Sequence, residues 1–355
     1  MRPPALWLVF RMVSVPRPGP GWQGPQEKSG RSWAASLPEC RPTTSILPER
    51  SSHMSTVSSV QAEYITAPPG FTAEQWETFE QDGIIFLEDA LSPAEVTRYS
   101  DALDRIAAAD DRFDPGETFG RENVVELDPA LAELIDHPRH IGYAYDLFGE
   151  LLKLHISQFF IRPPGMKKHN LWHPDGARAL PYGVFSPRLP LQIKIGYWLT
   201  DLPEDNMGNL VVVPGSHREQ YFDPYDTHES VDGELIVKVK AGTLTVMHSS
   251  IWHRVEPNTS ATARKNIFYA YCPAWITAAD RILSNPEWLQ GLTREQRIIM
   301  RSYEYGYSHA KPPASEFPLF LDRNTGSDND AGRYRDHVRL HRRKRRTKAE
   351  EWIGA

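Results

Sequence analysis

Two histidines and one aspartate in the middle of the chain have the side chains and the spacing of a metal site. His173 and Asp175 are separated by a single residue, and His253 follows about 80 positions later. In an extended segment, side chains at i and i+2 point to the same side, so His173 and Asp175 can reach one ion. Pairing with the strand-like run 243–247 would bring His253 opposite them. Two imidazoles and one carboxylate form the facial triad of non-haem Fe(II) enzymes, which leaves the ion's other face open.

The residues around this triplet decide how much weight it carries, because a chain with 13 histidines contains chance combinations. Trp172 and Trp252 directly precede the two histidines, and Arg264 lies 11 residues after His253. Arg264 opens a mostly apolar run, where a guanidinium needs an anion or water as its partner. Its planar fork suits a carboxylate. That carboxylate belongs either to a bound ligand or to an Asp or Glu of the protein.

Three longer segments carry a family resemblance. The first is Arg162-Pro163-Pro164-Gly165 followed by Trp172-His173-Pro174-Asp175, the second is residues 206–217, and the third is His253 with Pro257-Asn258 and Arg264. In this order they resemble the phytanoyl-CoA dioxygenase family of Fe(II)/2-oxoglutarate oxygenases. The resemblance covers roughly residues 71–301.

The resemblance implies a fold, a set of cofactors and a reaction. The fold would be mainly β with flanking helices, a double-stranded β-helix of the jelly-roll or cupin-like type. Fe(II) would be held by His173, Asp175 and His253, with 2-oxoglutarate as cosubstrate together with dioxygen. The reaction would be hydroxylation with release of succinate and CO2, which the retained Asp175 favours, since related halogenating enzymes have a small residue there. Desaturation or other oxidative tailoring, and a cupin-type metal enzyme that does not use 2-oxoglutarate, are the alternatives.

The resemblance also assigns residues to the cosubstrate. Arg264 would bind its distal carboxylate and Arg162 its other end, and Gln158 lies on the same strand face as Arg162. The chain departs from the family at Val255, because the member that names the family has a hydroxyl residue two positions after the distal histidine. The candidates for a replacement donor are Thr245 and Tyr197.

Other polar residues near the motifs belong either to the site or to ordinary structure. Lys194 and Gln192 share one face of a predicted strand and point either inward or to solvent. Residues 176–190 predict a lid or substrate loop. We expect His217 to stabilise a turn rather than bind metal, and His248 to point away from the site. The polar and aromatic residues in or beside the predicted loop are His169, Arg178, Tyr182 and Arg188.

Length and composition agree with a soluble enzyme, and we expect its substrate to be a small or medium metabolite. The chain has 355 residues, 40% of them apolar, enough for one large domain or two small ones. Its two cysteines cannot build a disulfide framework or a Cys-rich zinc site, which favours a reducing, cytoplasmic location. No apolar run is long enough to predict a transmembrane helix.

The charge of the central region bears on the partners. Residues 54–332 carry 24 Lys/Arg and 40 Asp/Glu, which argues against nucleic acid as a partner. The identity of the substrate and the oligomeric state stay open.

Composition also divides the chain into three parts. Residues 1–53 hold nine of the 30 prolines and little hydrophobic periodicity, which predicts disorder. We interpret them as an extension upstream of Met54, with a transit peptide as the alternative. Residues 54–322 are predicted to form the oxygenase domain. Residues 323–355 are predicted to be a basic, flexible tail, with a localisation or nucleic-acid patch as the alternative.

Helices are predicted first and strands later. Thr72 and Ser92 are N-cap candidates for two helices, and Glu95 completes a capping box for the second, which should run to about Ala108. Two more helices are predicted at 137–152 and 285–303. Short strands without helices between them favour a sandwich or a barrel. The strands are predicted at 83–87, 155–162, 191–199, 210–213, 235–239, 243–248 and 266–272.

Overall fold

Two antiparallel sheets form the centre of the protein in a computed structural model, which describes residues 67–176, 186, 190–219 and 227–300. Six strands form the larger sheet in the order β1-β7-β4-β9-β3-β2, and three form the smaller sheet in the order β6-β5-β8. The strands are β1 Ile84–Leu87, β2 Phe119–Glu122, β3 Leu152–Arg162, β4 Ile193–Trp198, β5 Leu210–Val212, β6 Leu235–Ile236, β7 Leu244–His248, β8 His253–Val255 and β9 Arg264–Pro273.

The helices flank the larger sheet, and most of them precede or follow the strands in sequence. Thr72 and Ser92 cap the first two helices, each with a complete capping box, and Thr293 does the same for the last. The helices are α1 Ala73–Asp82, α2 Pro93–Ala108, α3 Pro129–Ala132, α4 Ile141–Phe148, α5 Pro286–Gln290 and α6 Arg294–Ile299. None of the helices in the described ranges is long and apolar enough to cross a membrane.

Side chains along each strand of the larger sheet point alternately to opposite sides, so the sheet has two different faces. Its outer face packs on the helices and forms the main hydrophobic core, which includes Ile195, Tyr197, Ile267 and Tyr269. A second cluster, which contains Trp198, Leu210, Met247 and Phe268, lies between the two sheets. The inner face of the larger sheet therefore looks into the space between the sheets, which is where a site in a double-stranded β-helix is built.

The predicted fold class, a mainly β double-stranded β-helix with flanking helices, is confirmed. The two capped helices and six of the predicted strands appear close to their predicted bounds. The predicted strand 235–239 shrinks to two residues, and Val239 makes only an isolated bridge to Leu202. The short elements β2, β8 and α3 are not among the predicted elements, although Asp128 followed by Pro129 is a helix-start signal for α3.

Two predicted helices are wrong in extent. The helix predicted over 137–152 is α4 alone, because Gly149 with φ 68° ends it and a single 3-10 turn follows. The helix predicted over 285–303 is divided into α5 and α6, since Thr293 starts a new capped helix after Gly291. Three predicted regions lie outside the described residues: the last three positions of the helix predicted over 285–303, the segment 1–53 and the tail 323–355. The proposed domain limits therefore stay predictions.

Candidate metal centre and cosubstrate pocket

The three predicted ligands come together at one end of the smaller sheet. His173 pairs with His253 as an extra antiparallel bridge beside β8, and the backbone N–H of Asp175 donates to the carbonyl of Ser249 at 2.8 Å. One ligand atom from each of His173, Asp175 and His253 lies within 4.8 Å of the others. The pairing of two distant segments therefore assembles the triplet, as the sequence predicts.

Both imidazoles are held in the orientation that a metal ligand needs. Nδ1 of His173 donates to the carbonyl of Leu171 at 2.7 Å, and Nδ1 of His253 donates to the carbonyl of Ile251 at 3.1 Å. A hydrogen bond on Nδ1 fixes the tautomer and leaves the lone pair on Nε2. Burial lowers the pKa of His253 to about 4, so this imidazole is neutral at physiological pH, which is the form that binds a metal.

Asp175 is the anionic member of the triplet. Burial on its own raises the pKa of this carboxyl, but the ammonium of Lys194 and the neighbouring His253 outweigh it, and the net pKa lies well below the ordinary value. Asp175 Oδ2 forms an ion pair with Lys194 Nζ and lies 3.6 Å from His253 Nε2. Two imidazoles and one carboxylate on one side of a cavity fit the ligand preferences of a divalent metal such as Fe(II).

Two buried arginines face one another on the inner face of the larger sheet. Arg162 ends β3 and Arg264 begins β9, and the strand register places them directly opposite. Their exposed fractions are 5% and 2%. Arg162 donates through Nη1 to the carbonyls of Lys168 and Glu256, and Arg264 donates through Nη2 to Asn266. In the described part of the chain, no carboxylate forms an ion pair with either guanidinium.

The surroundings of Arg264 confirm that its charge is uncompensated. Burial, with the nearby Arg162 charge as the second cause, lowers the pKa of Arg264 to about 9. Its guanidinium carbon lies 5.3 Å from the ring centroid of Trp198, and its Nε has no hydrogen-bond partner among the described residues. Two like charges in a low-dielectric site destabilise each other. A bound anion would relieve that repulsion.

Gly208 allows the arginine pair to lie where it does. A Cβ on Gly208 would come within 2.8 Å of Arg162 Cδ and 3.1 Å of Arg264 Cδ, and the backbone φ of +77° disfavours other residues as well. This glycine lies in the segment 206–217 that carries part of the family resemblance.

All six residues predicted for the site line one cavity of about 300 Å³. The structure places Arg162 beside Arg264, at the same end of this cavity, rather than at the opposite end as the resemblance implied. The lining residues are Thr118, Gln158, Phe160, Arg162, Asn170, His173, Asp175, Lys194, Leu210, Met247, His253, Val255, Arg264 and Phe268.

The predicted replacement donors for Val255 are not where they would be needed. The Tyr197 hydroxyl bonds to His140 on the outer face of the larger sheet. The Thr245 hydroxyl contacts Trp198 Nε1 at 3.3 Å and is not among the cavity-lining residues. Val255 itself lines the cavity, and Arg162 is the second group able to donate to an anion at Arg264.

The remaining weaker candidates divide into four groups. His217 and His248 lie outside the ligand triplet, as expected: His217 Nε2 is 3.2 Å from the carbonyl of Glu80, and His248 Nδ1 accepts from the Ser250 N–H. Lys194 points into the cavity, while Gln192 bonds to His155 at 2.9 Å. His169 stacks on His228 with ring centroids 3.5 Å apart. The loop residues Arg178, Tyr182 and Arg188 lie outside the described residues.

Sequence reasoning missed one part of the site. Asn266 accepts a hydrogen bond from Arg264 Nη2 and is completely buried. It lies two residues after Arg264 on the same strand, so the period-2 alternation of side chains is the signal that could have identified it.

The chain is similar to known oxygenases. The phytanoyl-CoA dioxygenase (PhyH) family model matches residues 79–266. An ectoine dioxygenase from Nocardia farcinica (strain IFM 10152) is 31% identical over 156 residues, 41% of this chain and 51% of the relative. An ectoine dioxygenase from Bordetella bronchiseptica is 25% identical over 239 residues, 56% and 75% respectively. The match to the Nocardia relative therefore spans about half of that relative's length.

The fold is shared with a solved structure. HygX from Streptomyces hygroscopicus, with nickel and 2-oxoglutarate bound, superposes with a TM-score of 0.52 at 17% identity, covering 59% of this chain and 90% of HygX. Fold and residue triplet together define a double-stranded β-helix with a candidate facial-triad site. The chain belongs to the phytanoyl-CoA dioxygenase family of Fe(II)/2-oxoglutarate-dependent oxygenases.

Proposed function

We propose that the protein is an Fe(II)- and 2-oxoglutarate-dependent dioxygenase that hydroxylates a small or medium metabolite. The observation that carries this proposal is the buried pair Arg162 and Arg264, which lines the same cavity as the triplet and has no carboxylate partner in the described ranges. A triplet of ligands fits many metal enzymes. An additional pair of desolvated guanidiniums requires a small anion in the same cavity, and 2-oxoglutarate is such an anion.

His173, Asp175 and His253 would hold Fe(II) through two imidazole nitrogens and one carboxylate oxygen. When bound, Fe(II) supplies the redox chemistry by which O2 and 2-oxoglutarate convert a substrate C–H to C–OH, with succinate and CO2 as the other products. The carbonyls of Leu171 and Ile251 keep the ligand nitrogens directed at the metal.

Arg264 would bind the distal carboxylate of 2-oxoglutarate, and Arg162 would contribute a second positive charge beside it. A carboxylate between them replaces the repulsion of two buried cations with charge-assisted hydrogen bonds, which are about twice as strong as neutral ones. Asn266 and the ring of Trp198 hold the Arg264 guanidinium in place. Gln158 lines the same cavity and is available to bind either the cosubstrate or the substrate.

The same arrangement argues against the alternative enzyme class. A cupin-type metal enzyme that does not use 2-oxoglutarate has no need for the arginine pair, whose burial without an anion is unfavourable. Desaturation or another oxidative outcome uses the same centre and the same cosubstrate, so product analysis has to separate these from hydroxylation.

The substrate is proposed to be small. The cavity of about 300 Å³ is at the lower end of the range for ligand pockets, and the bound cosubstrate would occupy part of it. The two relatives described above are ectoine dioxygenases, so ectoine is the first compound to test. A cytoplasmic location stays a prediction.

Succinate formation tests the proposal. Purified protein loaded with Fe(II) is incubated with 2-oxoglutarate, O2 and a metabolite panel that includes ectoine, and succinate and oxidised product are quantified by mass spectrometry. We expect succinate in proportion to oxidised product, and neither from a His253→Ala variant. A wild-type protein that binds no divalent metal, or that oxidises a substrate without consuming 2-oxoglutarate, would contradict the proposal.

A further inference from the structure

A third buried cation lines the cavity, and the proposed binding of Fe(II) and 2-oxoglutarate does not account for it. Lys194 lies in β4, between β7 and β9, and is 8% exposed. Its Nζ forms an ion pair with Asp175 Oδ2 and lies 5.1 Å from the ring centroid of Phe268. Among the described residues, no other carboxylate or hydrogen-bond acceptor contacts Nζ.

The charges that line the cavity do not balance when the cofactors are counted. The lining includes Arg162, Lys194 and Arg264 as cations and Asp175 as an anion. Fe(II) would be balanced by Asp175 and by the metal-chelating carboxylate of 2-oxoglutarate. Arg264 would be balanced by the distal carboxylate. Arg162 and Lys194 are then left over as two positive charges.

The two remaining cations differ in how well they are solvated. Arg162 donates to two backbone carbonyls, those of Lys168 and Glu256. Lys194 has Asp175 as its partner, and the negative charge of that carboxylate would be shared with a dication once it acts as a metal ligand. A buried ammonium beside a metal ion is strongly unfavourable without a further anion. Lys194 is therefore the position at which the loaded site lacks a negative charge.

We propose that Lys194 binds a carboxylate of the prime substrate, and that the enzyme acts on small carboxylic acids. This inference rests on the proposed function. The carboxylates of 2-oxoglutarate already have partners, and Lys194 lies at the Asp175 end of the cavity, next to the position where oxidation takes place. The negative charge of residues 54–332 repels anions in general, so a dedicated cation in the cavity is needed to recognise one.

Ligand binding to the loaded but inactive protein tests this inference even while the substrate is unidentified. Protein is loaded with Ni(II) and 2-oxoglutarate, and each loading step is measured first by calorimetry. A library of small metabolites is then screened by thermal shift. It contains matched pairs of a carboxylic acid and its primary amide, with ectoine and its amide among them. Dissociation constants of the stabilising compounds are measured by calorimetry.

The same measurements are made on three variants, two at Lys194 and one control. Lys194→Met removes the charge and keeps the length of the side chain, and Lys194→Arg keeps the charge. Lys265→Met is the matched control, because Lys265 is also a lysine of the larger sheet in an ion pair, with Asp104, but is not among the cavity-lining residues.

In the wild-type protein we expect acids to bind at least about tenfold more tightly than their amides. A tenfold difference in affinity corresponds to the free energy of about one hydrogen bond to a charged group. Lys194→Met should bring that ratio close to one, Lys194→Arg should keep part of it, and Lys265→Met should leave it unchanged. The dissociation constant of 2-oxoglutarate should change little in all three variants. Lys194→Met should bind Ni(II) at least as tightly as the wild type, because the cation beside Asp175 is gone.

Other outcomes overturn the inference. It is wrong if no carboxylate stabilises the loaded protein, if the stabilising compounds lack a carboxylate, or if Lys194→Met keeps the wild-type ratio. A variant that loses 2-oxoglutarate affinity instead would assign Lys194 to the cosubstrate. A wild-type protein that fails to bind Ni(II) or 2-oxoglutarate at the loading step would contradict the proposed function itself, and this inference would fall with it.

Discussion

His173 and His253 exchange both of their backbone hydrogen bonds, each with an N···O distance of 3.0 Å. The two residues therefore form a hydrogen-bonded pair of an antiparallel ladder. Their imidazole rings lie side by side, with centroids 4.3 Å apart. Residues about 80 positions apart are thereby fixed by main-chain geometry, with both Nδ1 atoms held by carbonyls. The site is built into the edge of the smaller sheet, so the loss of a ligand side chain should not unfold the protein.

The first prediction follows from that geometry. Changing His173, Asp175 or His253 to Ala should reduce bound iron to a trace and abolish succinate formation, because a site with three protein ligands loses a third of its donors. The far-ultraviolet circular dichroism should match the wild type. The measurement is metal content by mass spectrometry together with the spectrum. The exposed His228 provides a control, and His228→Ala should keep its iron. Full iron occupancy and activity in His253→Ala would remove this residue from the site.

The second prediction concerns Arg264. Truncating one partner of a buried charge pair costs about 2–5 kcal/mol. Arg264→Ala should therefore raise the KM for 2-oxoglutarate by more than about tenfold. Iron binding should change little, because the triplet is intact. Arg264→Lys should recover only part of the loss, since a point charge cannot reproduce a two-pronged contact.

The matched control for Arg264 is Arg121 on β2, which is separated from β9 by β3. Arg121 pairs with Asp110 and is not among the cavity-lining residues. Arg121→Ala should leave the KM for 2-oxoglutarate unchanged. Normal KM values in both Arg264 variants would mean that this arginine has a structural role.

Within the triplet, the grouping of His173 with Asp175 could be predicted from the sequence because its information is local, whereas the inclusion of His253 depended on the family resemblance. The His-x-Asp spacing puts two ligands on one side of a strand, and capping boxes at Thr72 and Ser92 mark the helices. The relation between Arg162 and Arg264 could not be predicted, since it depends on the register of β3 and β9 after a register shift at Leu154/Ile156. A slip of one residue would turn either side chain to the other face.

The position of Tyr197 is predicted wrongly for a different reason. It is a predicted candidate donor to the cosubstrate, although it lies three residues after Lys194 and so on the opposite face of β4. Alternation alone could have excluded it. Only the structure shows what its hydroxyl does instead, because its partner His140 lies in the segment before α4.

The third prediction tests the close approach at Gly208. Gly208→Ala places a methyl group within 2.8 Å of Arg162 Cδ and forces a non-glycine residue to φ +77°. We expect an increase in the KM for 2-oxoglutarate and a loss of about 1–3 kcal/mol of unfolding free energy. Gly233→Ala is the control: its φ is +80°, but no atom lies within 4 Å of the added Cβ. It should lose stability without a change in KM. Equal KM values in the two variants would show that the contact with the arginines has no effect on the cosubstrate.

The fourth prediction concerns the buried His140 and the pH dependence of stability. Tyr271 donates its hydroxyl to the carbonyl of Ile135 at 2.8 Å, so His140 Nε2, 2.7 Å from that hydroxyl oxygen, must donate to it. Nδ1 then accepts from Tyr197. Burial holds the pKa of His140 well below its ordinary value, and the imidazole is neutral in the folded protein. The unfolded chain takes up a proton here below a pH of about 6.5, whereas the folded protein does not.

Stability should therefore fall as the pH drops below about 6.5, with a contribution from His140 of up to about 1.4 kcal/mol per pH unit. Urea unfolding of metal-free protein at pH 7.5, 6.5 and 5.5 measures it. His140→Gln should be less stable than the wild type at pH 7.5, because the tyrosine hydroxyls lose their partner, but its stability should depend less steeply on pH. A wild-type slope in His140→Gln would show that His140 does not titrate differently in the folded and unfolded states.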